Sequence, residues 1–242
     1  RQMLGASDAA SWYRLASPFS AANMQVNIAG YVDTSYKGRN QSLTDLVDLI
    51  QCVITARRGN YLVFFPSYDY LRSAVQVFEN RFPQIPLLVQ QRKMSDEERQ
   101  NFLSAFKDDG EVCGFAVMGG AFSEGVDLKG NRLIGAIVVG VGLPQIGIER
   151  DLIRNHFPEA GFEYAYQYPG LVRVLQTAGR VIRDEEDRGI IFLVDRRYRE
   201  RRYLDLLPSD WVPMFCENTA EIAVNLESFW SRQQELFGLS GP

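Results

Sequence analysis

Gly59-Asn60-Tyr61-Leu62-Val63-Phe64-Phe65-Pro66-Ser67-Tyr68 is the stretch that decides the fold. Five apolar residues run without a break from Tyr61 to Phe65 and stop at a proline, which has no N–H to give to a sheet. A strand with one wet face would alternate polar and apolar residues. An unbroken run fits a strand buried on both faces, and so a parallel sheet covered by helices above and below. Gly59-Asn60 breaks the chain in front of the strand, and Ser67 offers a cap for a helix behind it.

The same alternation extends in both directions. Upstream, residues 25–32 read as a strand. Residues 42–57 read as a helix, with Leu43, Leu46, Val47 and Ile50 on one face and Ser42 as its cap. Downstream come a helix over 67–82, a short strand over 87–90, and a helix to about 106 opened by the capping box Ser95-Asp96-Glu97-Glu98. Strands over 112–118 and 134–141, a helix over 171–183, a strand over 189–195 and a closing helix over 219–236 complete the series. This order predicts an α/β fold, a three-layer sandwich with a mostly parallel central sheet and helices on both faces. Its ligand sites are expected at the carboxyl ends of the strands. One domain is expected over 1–242, with a core over about 24–210, a lead-in over 1–23 and an acidic helical tail over 211–242.

Composition narrows the class. The 242 residues are 46% hydrophobic and 23% charged, with no apolar run long enough to span a membrane. The chain begins at Arg1 without a basic-then-apolar leader, so a fragment without a secretory signal is expected, in the cytoplasm. Cys52, Cys113 and Cys216 are scattered and odd in number, which fits neutral thiols and neither a disulfide framework nor a metal cluster. His156 is the single histidine, in what reads as a loop, so histidine triads and zinc sites are disfavoured. The net charge of −4 argues against a general nucleic-acid coat. Yet nine arginines lie between Arg173 and Arg202, and six acids against one arginine between Tyr203 and Pro242.

A phosphate-binding loop needs G-x-x-x-x-G-K-[ST] after a strand. Gly120-Ala121-Phe122-Ser123-Glu124-Gly125 has the glycine spacing but is followed by Val126-Asp127. Without the lysine and the hydroxyl, the chain does not hold ATP phosphates and magnesium in that manner by itself. Asp184-Glu185-Glu186-Asp187 follows a helix and reads as a solvated turn. Gly140-Val141-Gly142 is half of a dinucleotide fingerprint and fails at its third glycine.

Three turns carry the chemistry. Phe65-Pro66-Ser67-Tyr68 joins a strand to a helix whose free N–H groups favour a phosphate, although a plain helix cap has the same letters. Ser123-Glu124-Gly125-Val126-Asp127-Leu128-Lys129-Gly130 places polar groups around glycines that permit unusual backbone angles, as a simple polar loop also does. In Gln176-Thr177-Ala178-Gly179-Arg180-Val181-Ile182-Arg183, positions 176, 180 and 183 share one face if the segment is helical. That face is either a donor array for phosphate or a solvated surface, and Gly179 would let another backbone approach.

Taken in order, these turns resemble motifs IV, V and VI of superfamily two helicases, and more closely the DinG- and XPD-like branch. Asp187-Arg188-Gly189, Asp195-Arg196-Arg197-Tyr198 and Ala16-Ser17-Pro18-Phe19 are also similar to that branch, so the resemblance covers roughly residues 12–210. It implies the second of two RecA-like domains with ATP between them. The first domain, absent here, would hold most of the ATP and Mg contacts and, in many members, an iron–sulfur cluster; none is expected in this chain. The resemblance implies Arg180 and Arg183 as the catalytic arginines, with Gln176 orienting one of them or the attacking water. It implies Glu124, Gly125, Asp127 and Gly179 near ATP, and Ser67, Tyr68 and Ser123 on single-stranded DNA. The partners implied are the first RecA-like domain and the DNA strand, with no membrane, and DNA repair is suggested by the resemblance. By itself the chain would be inactive toward ATP. A catalytically silent RecA-like module that binds nucleic acid or protein is the alternative, and residues 142–168 match no motif.

Overall fold

The computed structural model describes residues 11, 19–120, 122 and 127–237. Ala16, Ser17, Pro18, Ser123, Glu124 and Gly125, named above, lie outside the described residues. Seven strands form one parallel sheet: β1 (Met24–Ala29), β2 (Tyr61–Phe65), β3 (Leu87–Val89), β4 (Cys113–Val117), β5 (Gly135–Val139), β6 (Gly189–Val194) and β7 (Met214–Cys216), in the order β3-β4-β2-β5-β6-β1-β7. The deciding run Tyr61–Phe65 is the central β2, and all five of its residues are buried. Its neighbours are β4 and β5, paired Tyr61 with Cys113 and with Gly135.

Strand residues alternate between two cores, as the period of two requires. Tyr61, Val63 and Phe65 face one side with α1 (Leu43–Ala56), α2 (Tyr68–Arg81) and α7 (Thr219–Phe237). Leu62 and Phe64 face the other, with α3 (Asp96–Ser104), α5 (Tyr168–Ala178) and α6 (Arg201–Leu204). The expected three-layer sandwich is what forms. Residues 211–237 belong to it: β7 extends the sheet beside β1, and Ile222, Leu226, Phe229 and Trp230 of α7 enter the first core. Among the described residues no helix is long and apolar enough to cross a membrane.

Several local expectations change. Ser42 makes no capping bond to α1; its hydroxyl instead donates to the carbonyls of Asp33 (2.7 Å) and Gly38 (3.1 Å). Ser67 does cap α2, accepting from the Tyr70 N–H, and the Ser95–Glu98 capping box is complete. The unassigned stretch 142–168 contains an exposed helix, α4 (Ile148–His156), and a single π-turn, Glu163–Gln167, that runs into α5. His156 therefore ends a helix and is not in a loop, and its ring meets Phe157 edge-on at 4.8 Å. Burial pushes the Cys113 thiol up to about 12 and raises Cys52 and Cys216, so all three stay neutral thiols near neutral pH.

Candidate functional site

The sheet separates the candidate residues into two places. Ser67 and Tyr68 follow the end of β2 and lie at the carboxyl edge of the sheet, as expected. Arg183 precedes β6 and Asp127 precedes β5, so both lie at the amino edge. A five-residue strand is about 16 Å long, which sets the scale of the separation. Ligand sites are expected at the carboxyl edge; Arg180 and Arg183 lie at the amino edge, because their segment enters its strand instead of leaving one.

At the carboxyl edge an open groove of about 910 Å³ runs between α2, α4 and α5. Ser67, Tyr68, Arg92, Arg150 and Arg173 line it, together with the acidic Asp69 and Glu149. Gln90, just past β3, organises this end. Its Oε1 accepts from the Val117 N–H (2.8 Å), and its Nε2 donates to the Tyr68 hydroxyl (2.8 Å). The Arg92 guanidinium stands 5.7 Å from the centre of the Tyr68 ring. Arg173 of α5 passes beside Gly119, where φ is +71° and a Cβ would lie 3.7 Å from the Arg173 side chain. Sequence reading missed Gln90, Arg92 and Arg173 because they come from two segments about 80 residues apart, the turn after β3 and α5. The one available signal was the position of Gln90 and Arg92 directly after a strand.

At the amino edge the 171–183 helix is shorter than its periodicity implies. It ends at Ala178, with Gly179 as its cap donating to the carbonyls of Leu175 and Thr177. Arg180 and Val181 continue in tight turns onto Thr177 and Ala178 (both 3.3 Å). Two consecutive apolar residues, Val181 and Ile182, then turn into the core at 1% and 8% exposure, which a helix with Arg180 and Arg183 on its wet face would not deliver. Gln176, Arg180 and Arg183 thus do not share a helical face. Gly179 is exposed, and within the chain the described atoms within 4 Å of its Cβ position are carbonyl oxygens of its own last turn.

Arg183 does not project without a partner. Its Nη1 donates to Asp127 Oδ1 at 2.7 Å, and its side chain is 24% exposed. That hydrogen bond holds the Asp127 carboxyl below the usual carboxylate range. Gln176 and Gly179 are exposed, and Arg180 is half-buried.

The acidic run Asp184–Asp187 reads as a solvated turn. Asp184, Glu185 and Glu186 are exposed, but Asp187 is buried at 3% exposure. One of its oxygens accepts from Gly130 N–H (2.8 Å). The other accepts from Arg183 N–H (2.7 Å) and Asp184 N–H (2.8 Å). A buried carboxylate of this kind is held by backbone donors and needs no cation beside it. Among the described residues no group of three His, Cys, Asp or Glu side chains could hold a metal ion.

The fold and these two ends define a class: a RecA-like α/β domain without a phosphate loop of its own, with a cationic groove at one sheet edge and arginines at the other. A family model described as Helicase C-terminal domain matches residues 50–214, and the chain belongs to that family, as its likeness to the XPD- and DinG-type helicases implies. It is 26% identical over 225 residues to the probable ATP-dependent helicase MJ0942 of Methanocaldococcus jannaschii, covering 81% of this chain and 34% of that protein. It is 24% identical over 173 residues to the ATP-dependent DNA helicase CHL1 of Vanderwaltozyma polyspora, covering 64% of this chain and 21% of the relative. The chain thus spans about a third or less of these relatives. A solved structure titled XPD_APO superposes with a TM-score of 0.63 at 22% identity, covering 80% of this chain and 40% of that one; it shares the fold.

Proposed function

We propose that this chain is the second motor domain of an ATP-dependent DNA helicase. Arg180 and Arg183 stabilise the negative charge that develops on the γ-phosphate of ATP bound mainly, with Mg, by a first RecA-like domain. The observation that carries this reading is the placement of Arg183: a guanidinium at a domain edge, pre-aimed by Asp127 from another motif. A guanidinium held this way needs little reorganisation when charge appears, which is how positioned donors accelerate phosphoryl transfer. Gln176 orients an arginine or the attacking water, and Glu124, Gly125, Asp127 and Gly179 face the nucleotide.

The groove at the opposite edge takes single-stranded DNA. Ser67 and Tyr68, with Ser123, contact the strand, and Arg92 and Arg173 neutralise its phosphates. Such contacts position a strand without reading its sequence. The segment over 118–134 connects the two ends. It begins at the groove beside Arg173 and finishes at Asp127 and Gly130 beside Arg183. Cleft opening and closing would couple strand binding to ATP turnover and step the domain along DNA.

The test is ATP turnover by a protein that carries both motor domains. Arg180→Ala and Arg183→Ala should each lower it by about 10³-fold or more per folded molecule, in line with other trans-acting arginines. Single-strand affinity should stay near wild type. Lys at position 180 should rescue poorly, because a point charge does not reproduce the planar fork. The chain without a first domain should hydrolyse ATP negligibly. Wild-type turnover in both Ala variants would leave the silent binding module as the better reading.

A further inference from the structure

The turn between β1 and α1, residues 30–42, lies at the carboxyl edge of the sheet and has no role in the site described above. We propose that Tyr36 of this turn is a stacking platform for one base of a single strand, extending the strand track beyond the groove. The proposal rests on the reading that the carboxyl-edge groove takes a strand.

Tyr36 is 83% exposed, the most of any aromatic among the described side chains. A ring left in water gives up the burial that favours aromatic side chains inside a fold. This ring is also displayed on a closed turn. Asp33 Oδ1 accepts the Ser35 N–H (2.9 Å), and the Ser35 carbonyl accepts the N–H groups of Gly38 (3.1 Å) and Arg39 (2.8 Å). The Ser42 hydroxyl ties the far end of the turn back to the carbonyls of Asp33 and Gly38. Arg196, just after β6, pairs with Asp33 at 3.1 Å. The backbone under Tyr36 is therefore fastened to itself and to the neighbouring strand's loop.

The ring itself is held by an arginine. The Arg39 guanidinium carbon lies 4.8 Å from the centre of the Tyr36 ring and 5.4 Å from that of Tyr70. Tyr70 is buried in the first turn of α2, edge-on to Phe65 at 5.9 Å, and stands two residues beyond Tyr68 of the groove. Arg39 thus joins the exposed ring to the end of α2 that borders the groove. It shields part of the ring with a cation, and the high exposure leaves the rest of the π-surface open. Charge narrows the ligand. Residues 34–44 contain Lys37 and Arg39 and no acid. An aromatic flanked by cations suits a base carried between two phosphates: the base stacks on Tyr36, and Lys37 and Arg39 meet the phosphates. An aliphatic peptide would leave both cations unused. Every base has a π-face, so the platform holds a strand without reading its sequence.

Titrations of the 242-residue chain with two labelled strands of equal length test this. One strand is thymidine; the other has the same deoxyribose phosphates without bases. Tyr36→Ala should weaken binding to the thymidine strand by about tenfold, within the range for loss of one stacked base. Binding to the base-free strand and the salt slope should keep their wild-type values, because no cation is removed. Tyr36→Phe keeps the ring and should stay within about twofold of wild type on thymidine. Tyr36 is exposed, so Tyr36→Ala should melt with the wild type. Wild-type thymidine affinity in Tyr36→Ala, an equal loss on the base-free strand, or a Phe variant as weak as the Ala variant overturns the platform. The first of these is also what a Tyr36 that meets a first motor domain would give. Failure of the strand groove shows separately. In that case Arg92→Ala and Arg173→Ala leave thymidine affinity unchanged, whereas failure of the platform alone leaves those two variants weakened.

Discussion

Gly142→Ala should unfold this domain well below the wild-type temperature, for reasons that can be worked from the backbone. Gly142 follows β5 with φ of +66°, and a Cβ there would sit 2.4 Å from the carbonyl oxygen of Gly170, 3.1 Å from its carbon and 3.2 Å from Val174 Cγ2. Gly170 lies in the first turns of α5, and its own Cβ position is 2.7 Å from the Val141 carbonyl oxygen. The two glycines thus let α5 rest directly on the loop after β5. A left-handed backbone costs an alanine about 1–2 kcal/mol. Forcing apart a close-packed contact costs about 1–3 kcal/mol more. The sum is about 2–5 kcal/mol, and at roughly 2–4 °C per kcal/mol for a chain of this size the midpoint should fall by on the order of 10 °C. Gly170→Ala should cost less, because alanine regains about 1 kcal/mol of helix propensity. The double variant should cost less than the sum, since one shift of α5 relieves both clashes. Gly147→Ala is the control: its Cβ position meets nothing within 4 Å and its φ of −175° suits any residue. Urea and thermal melts of the four proteins decide the matter. A loss below about 1 kcal/mol for Gly142→Ala, or an equal loss for Gly147→Ala, would falsify the packing argument.

Asp195 is fully buried and accepts from the Thr34 hydroxyl, the Arg197 N–H (2.7 Å) and two guanidinium nitrogens of Arg197 (both 2.8 Å). Asp195→Ala leaves those donors without their acceptor and should cost about 3–5 kcal/mol, measured by denaturant unfolding. Asp127 should titrate below the ordinary carboxylate range, and Arg183→Ala should raise it back toward that range, read from its side-chain carbon by NMR. The sign follows from the depressed value: the pair's contribution is present above the unfolded pKa and disappears as pH falls through the folded one, so acid and not alkali should release Arg183. In single-strand titrations, Arg92→Ala and Arg173→Ala should each weaken binding equally across sequences. Each should also reduce the salt slope by about 0.7; an unchanged slope would remove that arginine from the strand track.

The sequence by itself determined the sheet and its helices, because burial on both faces leaves a local signature. The run Tyr61–Phe65 and the caps Ser67 and Ser95 need no knowledge of distant residues, and they stand where their letters put them. The motif order around Ser67, Asp127 and Arg180–Arg183 was likewise legible, since it is carried by neighbours in the chain. What periodicity got wrong was the end of α5. Gln176, Arg180 and Arg183 have helical spacing, but burying Val181 and Ile182 in the second core gains more than a further turn of exposed helix would. Tertiary structure also decided Asp187, whose letters beside three other acids suggested solvent and whose donors come partly from Gly130. It decided the groove, where Gln90, Arg92 and Arg173 meet across separate segments. The physical reason is the same each time. Hydrophobic patterning is local, whereas the partner of a buried carboxylate or a clustered arginine is chosen by which strands lie side by side, and strand order is not written in any one stretch of the chain.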